Sequence, residues 1–377
     1  VKSAIRNKPM TAKILVLGGY GTFGSRISRA LCLKGHHVII NGRNKEKAEK
    51  LKAEILSDKA DARIEVACFD VFTELYEQIN HLKPSLVIHT CGSFQGQDTL
   101  IAETVIKAGV HYIDLADGRD YVQDMLKLDA LAKSKHVIVI TAASTVPTLS
   151  SAVLKHLQQQ HDIKLFQSVK MGISPGQKTD RGLATSEAVL SYIGKPLTPW
   201  RGSDKTKYGW QETYLQKYPG IRNRLMGNCE AADLDVLPVY FDIGELQFSA
   251  GMESKLLHTG IWLSSWLVRL GVTLNLDKHA GFWLKVSRWF NFLGTEDGGM
   301  HVEINAVNNK NQSIHKTWFI IAKNNDGPQI PCVPAIVMTE KILTGEIKPG
   351  VQPCIDIVSL NEYLHELTPY AVETFEF

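Results

Sequence analysis

Apolar and polar positions along the first 150 residues switch between two periods. Lys13–Leu17 is a continuous apolar run, the pattern of a strand buried on both faces. Phe23, Ile27 and Leu31 then recur every four residues, the stripe of one helix face, and Gly35 stands where that helix should stop. A second strand is predicted at His37–Asn41. The alternation continues with helices over 45–56, 73–82, 99–108 and 121–132, and with strands over 63–69, 85–90, 110–115 and 137–140. Strands separated by crossover helices predict an α/β fold, a doubly wound parallel sheet covered on both faces.

From Leu149 the pattern loosens. Residues 149–160 and 185–193 read as helices, 163–173 as a strand and 194–218 as mostly loop. Residues 236–251 carry one or two strands, and 301–307 with 313–322 read as a hairpin joined by Asn- and Lys-rich turn residues. Helices are predicted at 335–343 and 359–367. Without regular crossovers this part reads as a second, mixed α+β domain with an open or antiparallel sheet. The expected division is 10–148, then 149–330, then an extension over 345–377, with a helix at 334–344 returning to the first domain.

Between the first strand and its helix lies Gly19-Tyr20-Gly21-Thr22-Phe23-Gly24, a G-x-G-x-x-G loop. Gly19 suits the tight turn, Gly21 lets backbone approach a pyrophosphate, and Gly24 lets helix and strand pack closely. The free N–H groups and dipole of the helix start then hold phosphate charge. In this strand–loop–helix–strand setting the motif points to dinucleotide binding. At the tip of the second strand an NAD-binding unit carries an acid for the ribose 2′-OH. Here the tip is Asn41-Gly42-Arg43-Asn44, followed by Lys45 and Lys47. Arg43 offers a planar fork for a 2′-phosphate, so NADP(H) is expected.

Ligands of such sheets bind beyond the carboxyl ends of the strands. That rule selects Asp70 as an acceptor for the adenine amino group, and Cys91, Gly92 and Ser93 as a path along the cofactor toward its nicotinamide. It also brings forward Tyr112, Asp117 and Arg119 as candidate proton donors and orienters, with Arg119 or Arg181 as a grip for a substrate carboxylate or phosphate.

Composition narrows the classes. The chain has 377 residues, 44% hydrophobic and 21% charged, which excludes a disordered or fibrous protein. A net charge of +3 is too mild to argue for nucleic acid. The six cysteines show no C-x-x-C and no metal-ligand spacing, so they read as reduced thiols of a cytoplasmic protein. No metal is expected. Val1 to Pro9 reads as a flexible lead. One stretch stands apart: residues 256–293 hold Trp262, Trp266, Trp283 and Trp289 among leucines, with Lys285 and Arg288 alongside. Core or homodimer interface, lining for an apolar substrate, and weak contact with a membrane surface all remain open for it.

Several stretches together resemble the saccharopine dehydrogenase-like family in its shorter bacterial branch. They are LGGYGTFGSRISRAL, HTCGSFQGQD, GVHYIDLADG and ITAASTVPTLSSAVL, then SPGQKTDRGLATSEAVLSYIG, LGTEDGGMHVEI and NNDGPQIPCVPA. The resemblance implies a Rossmann domain, NADP(H) as cofactor and a second domain over the nicotinamide. It carries Gly19, Gly21, Thr22, Phe23, Gly24 and Arg43 as cofactor residues, with the loop from Cys91 to Gln95 against the cofactor. Saccharopine reductases resemble G-x-D-P-G after the sixth strand, whereas this chain has Ala143-Ser144-Thr145-Val146-Pro147. Amino-acid-adduct chemistry therefore does not carry over. The expected activity is NADP(H)-dependent hydride transfer to or from a C=N, C=O or conjugated C=C of a partly apolar small molecule. The alternatives are a lipid-linked enoyl reductase, as in another branch resembling this family, and an NADP(H)-binding sensor or scaffold without turnover.

Overall fold

The glycine loop and its two flanking strands sit in the middle of a seven-stranded parallel sheet. The computed structural model describes residues 12–180, 182–199 and 206–377, so the lead and Arg181 lie outside the described residues. In chain order the strands are β1 (Lys13–Leu17), β2 (His37–Asn41), β3 (Arg63–Ala67), β4 (Leu86–His89), β5 (His111–Asp114), β6 (Ile138–Thr141), β7 (Ile163–Ser174), β8 (Tyr214–Gln216), β9 (Arg224–Asn228), β10 (Ile243–Met252), β11 (Gly298–Asn308), β12 (Ser313–Ala322), β13 (Gly350–Pro353) and β14 (Val372–Glu376).

The first sheet runs β13-β6-β5-β4-β1-β2-β3. β1 pairs in parallel with both β2 and β4. The chain moves outward from β1 to β3, then crosses back to β4, and the point beyond the carboxyl ends at that reversal is where sheets of this kind take their ligands. Ile14 to Leu17 and Leu86 to Ile88 are fully buried, as helices on both faces demand. Each such side chain contributes roughly 1.5–3 kcal/mol.

The second sheet runs β14-β12-β11-β7-β10-β9-β8. Its β7–β10 pair is parallel and its other pairs are antiparallel. One apolar core joins it to the first sheet. The helix Val333–Leu343 packs on the helix Gly24–Leu33, and His36 Nε2 lies 2.8 Å from Glu340 Oε1.

Three details differ from the sequence reading. Residues 345–377, expected as an extension, are divided between the two sheets: β13 extends the first and β14 the second. Both are edge strands, and β13 carries glycine and proline, which hide a strand from propensity and are tolerated at an edge. The helix expected over 121–132 is two, Arg119–Leu126 and Asp129–Ser134. The apolar run from Val236 begins inside a helix, Asp233–Tyr240, where Asp233 and Asp235 in the first turn complement the helix dipole.

Candidate active site

The glycine loop shows why each glycine is there. The left-handed conformation falls on Gly18 (φ +73°), not on Gly19 as expected. A Cβ on Gly19 would lie 2.9 Å from the Val16 carbonyl oxygen and 3.2 Å from Ile40 Cα, so this residue serves the close approach of β2. A Cβ on Gly24 would lie 2.2 Å from the Gly18 carbonyl oxygen and 2.8 Å from Thr90 Oγ1. Gly21 is exposed, and a Cβ there would meet only the Gly18 carbonyl within 4 Å. The side of the loop that a pyrophosphate must approach is therefore open.

The helix Gly24–Leu33 starts without a side-chain cap and without an acid in its first turn. Its N-terminal charge is left for an anion. Thr22 and Phe23 lie half-buried at this start, and Phe23 accepts a long hydrogen bond from Cys332 Sγ.

Beyond β2, the Tyr20 ring lies across Gly42, where a Cβ would be only 2.1 Å from Tyr20 Cε1. The Tyr20 hydroxyl accepts the Asn44 N–H at 2.9 Å. This clamps the turn that carries Arg43, whose exposed guanidinium forms no ion pair or hydrogen bond among the described residues. Asp70 spends one carboxylate oxygen on the Phe72 N–H at 2.9 Å, which closes the turn after β3. Cys91 sits beneath Gly18, with its Sγ 3.0 Å from where a Cβ would be. Burial pushes its thiol up to about 12, with Arg43 lowering and Asp70 raising it. It is an uncharged packing group within the electrostatic reach of both. Gly92 passes Phe94, and a Cβ on it would approach that ring at 3.3 Å. Ser93 Oγ lies 3.5 Å from Glu187 Oε2. The group fits a dinucleotide with a 2′-phosphate: an open Gly21, an uncapped helix start and an uncommitted Arg43.

The expected proton donors are placed differently. Tyr112 is fully buried within β5. Its hydroxyl bonds to His89 Nδ1 at 2.8 Å and to Tyr121 Oη at 3.0 Å. It belongs to an interior network rather than to the crevice, because His89 and, from the helix Arg119–Leu126, Tyr121 close over its ring and hydroxyl. Arg119 is also buried. Its Nε donates to Asp235 Oδ2 at 2.7 Å, its Nη2 pairs with Asp235 Oδ1, and its Nη1 binds the Thr198 carbonyl and Glu230 Oε1. All three nitrogens are engaged, and four of the five N–H groups are spent on Asp235, Glu230 and the Thr198 carbonyl, so this buried Arg119 ties the two domains together rather than gripping a substrate.

Asp117 does reach the edge, and it comes with partners the sequence did not reveal. Gln95 Nε2 donates to Asp117 Oδ1 at 3.0 Å and to the Tyr192 hydroxyl at 2.8 Å. A carboxylate only accepts, so Asp117 fixes which end of the Gln95 amide faces it. The Tyr192 oxygen then accepts from Gln95, and its own proton is left to donate elsewhere. Desolvation raises the Asp117 carboxyl, while the Gln95 N–H lowers it. Burial likewise raises Tyr192, with Asp117 as the next cause. Tyr192 closes the helix Leu183–Ser191 of the second domain, ninety-seven residues from Gln95. Nothing local in the sequence marks the pair.

A second buried acid holds the edge in shape. Asp114 accepts from the Ala116 and Ala142 N–H groups and from Thr141 Oγ1, all through Oδ1. Burial raises its carboxyl to about 7.

Residues 14–140 match the family described as the saccharopine dehydrogenase NADP binding domain. No curated protein sequence matches the chain. Among solved structures, the yvaA protein of Bacillus subtilis is 14% identical over 85% of this chain and 74% of that one, with a TM-score of 0.37. A dehydrogenase from Chromobacterium violaceum is 9% identical over 82% and 74%, with a TM-score of 0.39. A betaketoacyl-[ACP] reductase from Bacteroides thetaiotaomicron is 16% identical over 34% and 74%, with a TM-score of 0.29. The family match makes residues 14–140 an NADP-binding domain, with NADP(H) as its cofactor.

Proposed function

We propose that this chain, whose residues 14–140 match the saccharopine dehydrogenase NADP binding domain, reduces or oxidises a polarised C=O, C=N or conjugated C=C with Tyr192 as the proton-side group. The observation that carries this reading is the forked Gln95 amide, which holds Asp117 and the Tyr192 hydroxyl together at the edge of the first sheet.

NADPH supplies the hydride when bound. The rest falls to the chain. The glycine loop and Arg43 anchor the phosphates. The loop from Cys91 to Gln95 runs from the cofactor crevice to the second domain. Tyr192 keeps its proton near neutrality because burial raises it, and Gln95 stabilises the oxygen once that proton has left. Asp117 acts by orienting Gln95. The helix Leu183–Ser191 closes on the glycine loop at Gly182, where a Cβ would be 3.2 Å from Thr22 Oγ1.

A screen of carbonyl, imine and enoyl compounds for NADPH oxidation tests the proposal. With a turning-over substrate, Tyr192→Phe should lower kcat by about 10²–10⁴ and leave NADPH affinity unchanged. Tight NADPH binding with no hydride exchange to any compound would overturn turnover and leave a binding-only protein. A Tyr192→Phe enzyme at full kcat would move the proton role elsewhere. The lipid-linked enoyl reading is favoured by one observation, the outward-facing apolar helices described next.

A further inference from the structure

The helices Lys255–Arg269 and Ala280–Arg288 turn their apolar side chains outward. In the first, only His258 and Ser265 are buried, while Leu263 and Leu267 are exposed. In the second, only Ala280 is buried. Leu270, Phe282, Trp289 and Phe292 continue the surface, with Trp289 75% and Phe292 77% exposed. A helix that seals a protein core does the reverse. Contiguous exposed apolar surface of this kind marks an interaction site.

Charge selects the partner. Residues 255–294 contain Lys255, Arg269, Lys278, Lys285 and Arg288 against a single acid, Asp277, a net of +4 in a chain whose total is +3. A second copy docking here would set two such basic faces against each other, and interfaces between proteins are depleted in lysine. An anionic lipid surface satisfies both halves of the pattern: aromatic and leucine side chains enter the acyl boundary while the exposed Lys255, Lys278, Lys285 and Arg288 reach headgroups, Arg269 being held by Gln211 and Tyr208. No helix among the described residues is long and apolar enough to cross a membrane.

The placement is specific. The helix Leu183–Ser191 packs against Ala280–Arg288, and a Cβ on Gly281 would lie 3.8 Å from Leu183 Cδ1. The same helix carries Glu187 toward Ser93 and leads into Tyr192. The apolar surface is thus borne on the helix that walls the cofactor crevice. We propose that residues 255–294 seat the protein on an anionic lipid surface as an interfacial, non-spanning element.

Flotation of the full chain with phosphatidylcholine vesicles, with and without phosphatidylserine, tests this. Binding is expected to the phosphatidylserine vesicles at low salt, and it should weaken as salt rises. The double variant Trp289→Ser/Phe292→Ser should reduce partitioning on the order of a hundredfold, with circular dichroism and NADPH titration unchanged. Wild-type protein that stays unbound at low salt, or a variant that binds equally well, overturns the proposal. So does a wild-type dimer that ignores vesicles and that the variant converts to monomer, since the surface would then belong to a second copy. The enzymatic reading is judged separately on the same samples: vesicle binding without NADPH binding would sink that reading and leave this one standing.

Discussion

The two ends of the crevice are built by different means. At the cofactor end, Gly18 to Gly24 and Arg43 are shaped by neighbours within the first sheet, from β2 and from Thr90 and Cys91 just past β4, and the guanidinium of Arg43 is left uncommitted. At the substrate end, Arg119 and Gln95 are defined by bonds to residues of the second domain, 116 and 97 positions away. Two arginines on the same sheet edge therefore do opposite jobs. Arg43 faces solvent and awaits an anion. Arg119 already has two carboxylates and a carbonyl. What separates them is whether the fold delivers acids to them, and only tertiary structure says that.

The sharpest way to break this contrast is Arg119→Ala. It removes the partner of Asp235 and Glu230 at a point where the domains meet, and such a loss from a mostly buried cluster costs about 3 kcal/mol. Thermal or urea unfolding should show that loss, while NADPH affinity per folded molecule stays the same. A stable Arg119→Ala protein with a raised KM would instead return Arg119 to the substrate. Arg43→Ala should do the converse. Stability should be unchanged, NADPH binding should weaken by roughly 1–3 kcal/mol, and NADH binding should hardly move. Calorimetric titration of both cofactors decides it, and equal losses for the two would remove Arg43 from the 2′-phosphate.

This division also explains what was legible beforehand. The parallel sheet could be read because strands buried on both faces must be apolar throughout, and Ile14 to Leu17 declare that locally. The glycine loop was legible for the same reason, although its turn residue was not: in a Gly18-Gly19 pair, only the backbone shows which takes the positive φ. Tyr112 looked like an edge hydroxyl, but His89 and Tyr121, brought against it by neighbouring elements, turn it into an interior partner. Tyr192 was invisible because its helix ends in the second domain while its meaning lies at Gln95. The tryptophan-rich segment showed its amphipathic spacing but not its orientation. That spacing is the same for a helix facing in or out, and burial alone shows that His258 and Ser265, not the leucines, face the protein.

That inversion predicts the most local effect. His258 is the buried anchor of the helix Lys255–Arg269, with its ring edge-on to Trp210 at 5.4 Å. Neither ring nitrogen has a hydrogen-bond partner, and burial lowers its pKa from 6.5 to about 4. The folded helix therefore refuses a proton that the unfolded chain accepts. The stabilisation is complete above about pH 6.5 and is lost as pH falls from there toward about 4. His89 and His301 are lowered in the same way, to about 4 and about 3, while burial raises Asp114 and Asp233 to about 7 and acts in the opposite direction, so global stability over this window cannot isolate one residue. Amide exchange of residues 255–269 can. Between pH 7 and 5 its protection should drop by about 2 kcal/mol, and His258→Phe, which keeps the aromatic contact with Trp210 and cannot titrate, should abolish the drop. If exchange in this helix is insensitive to pH, or if the phenylalanine variant responds as the wild type does, His258 is not what holds the outward-facing helix to the protein.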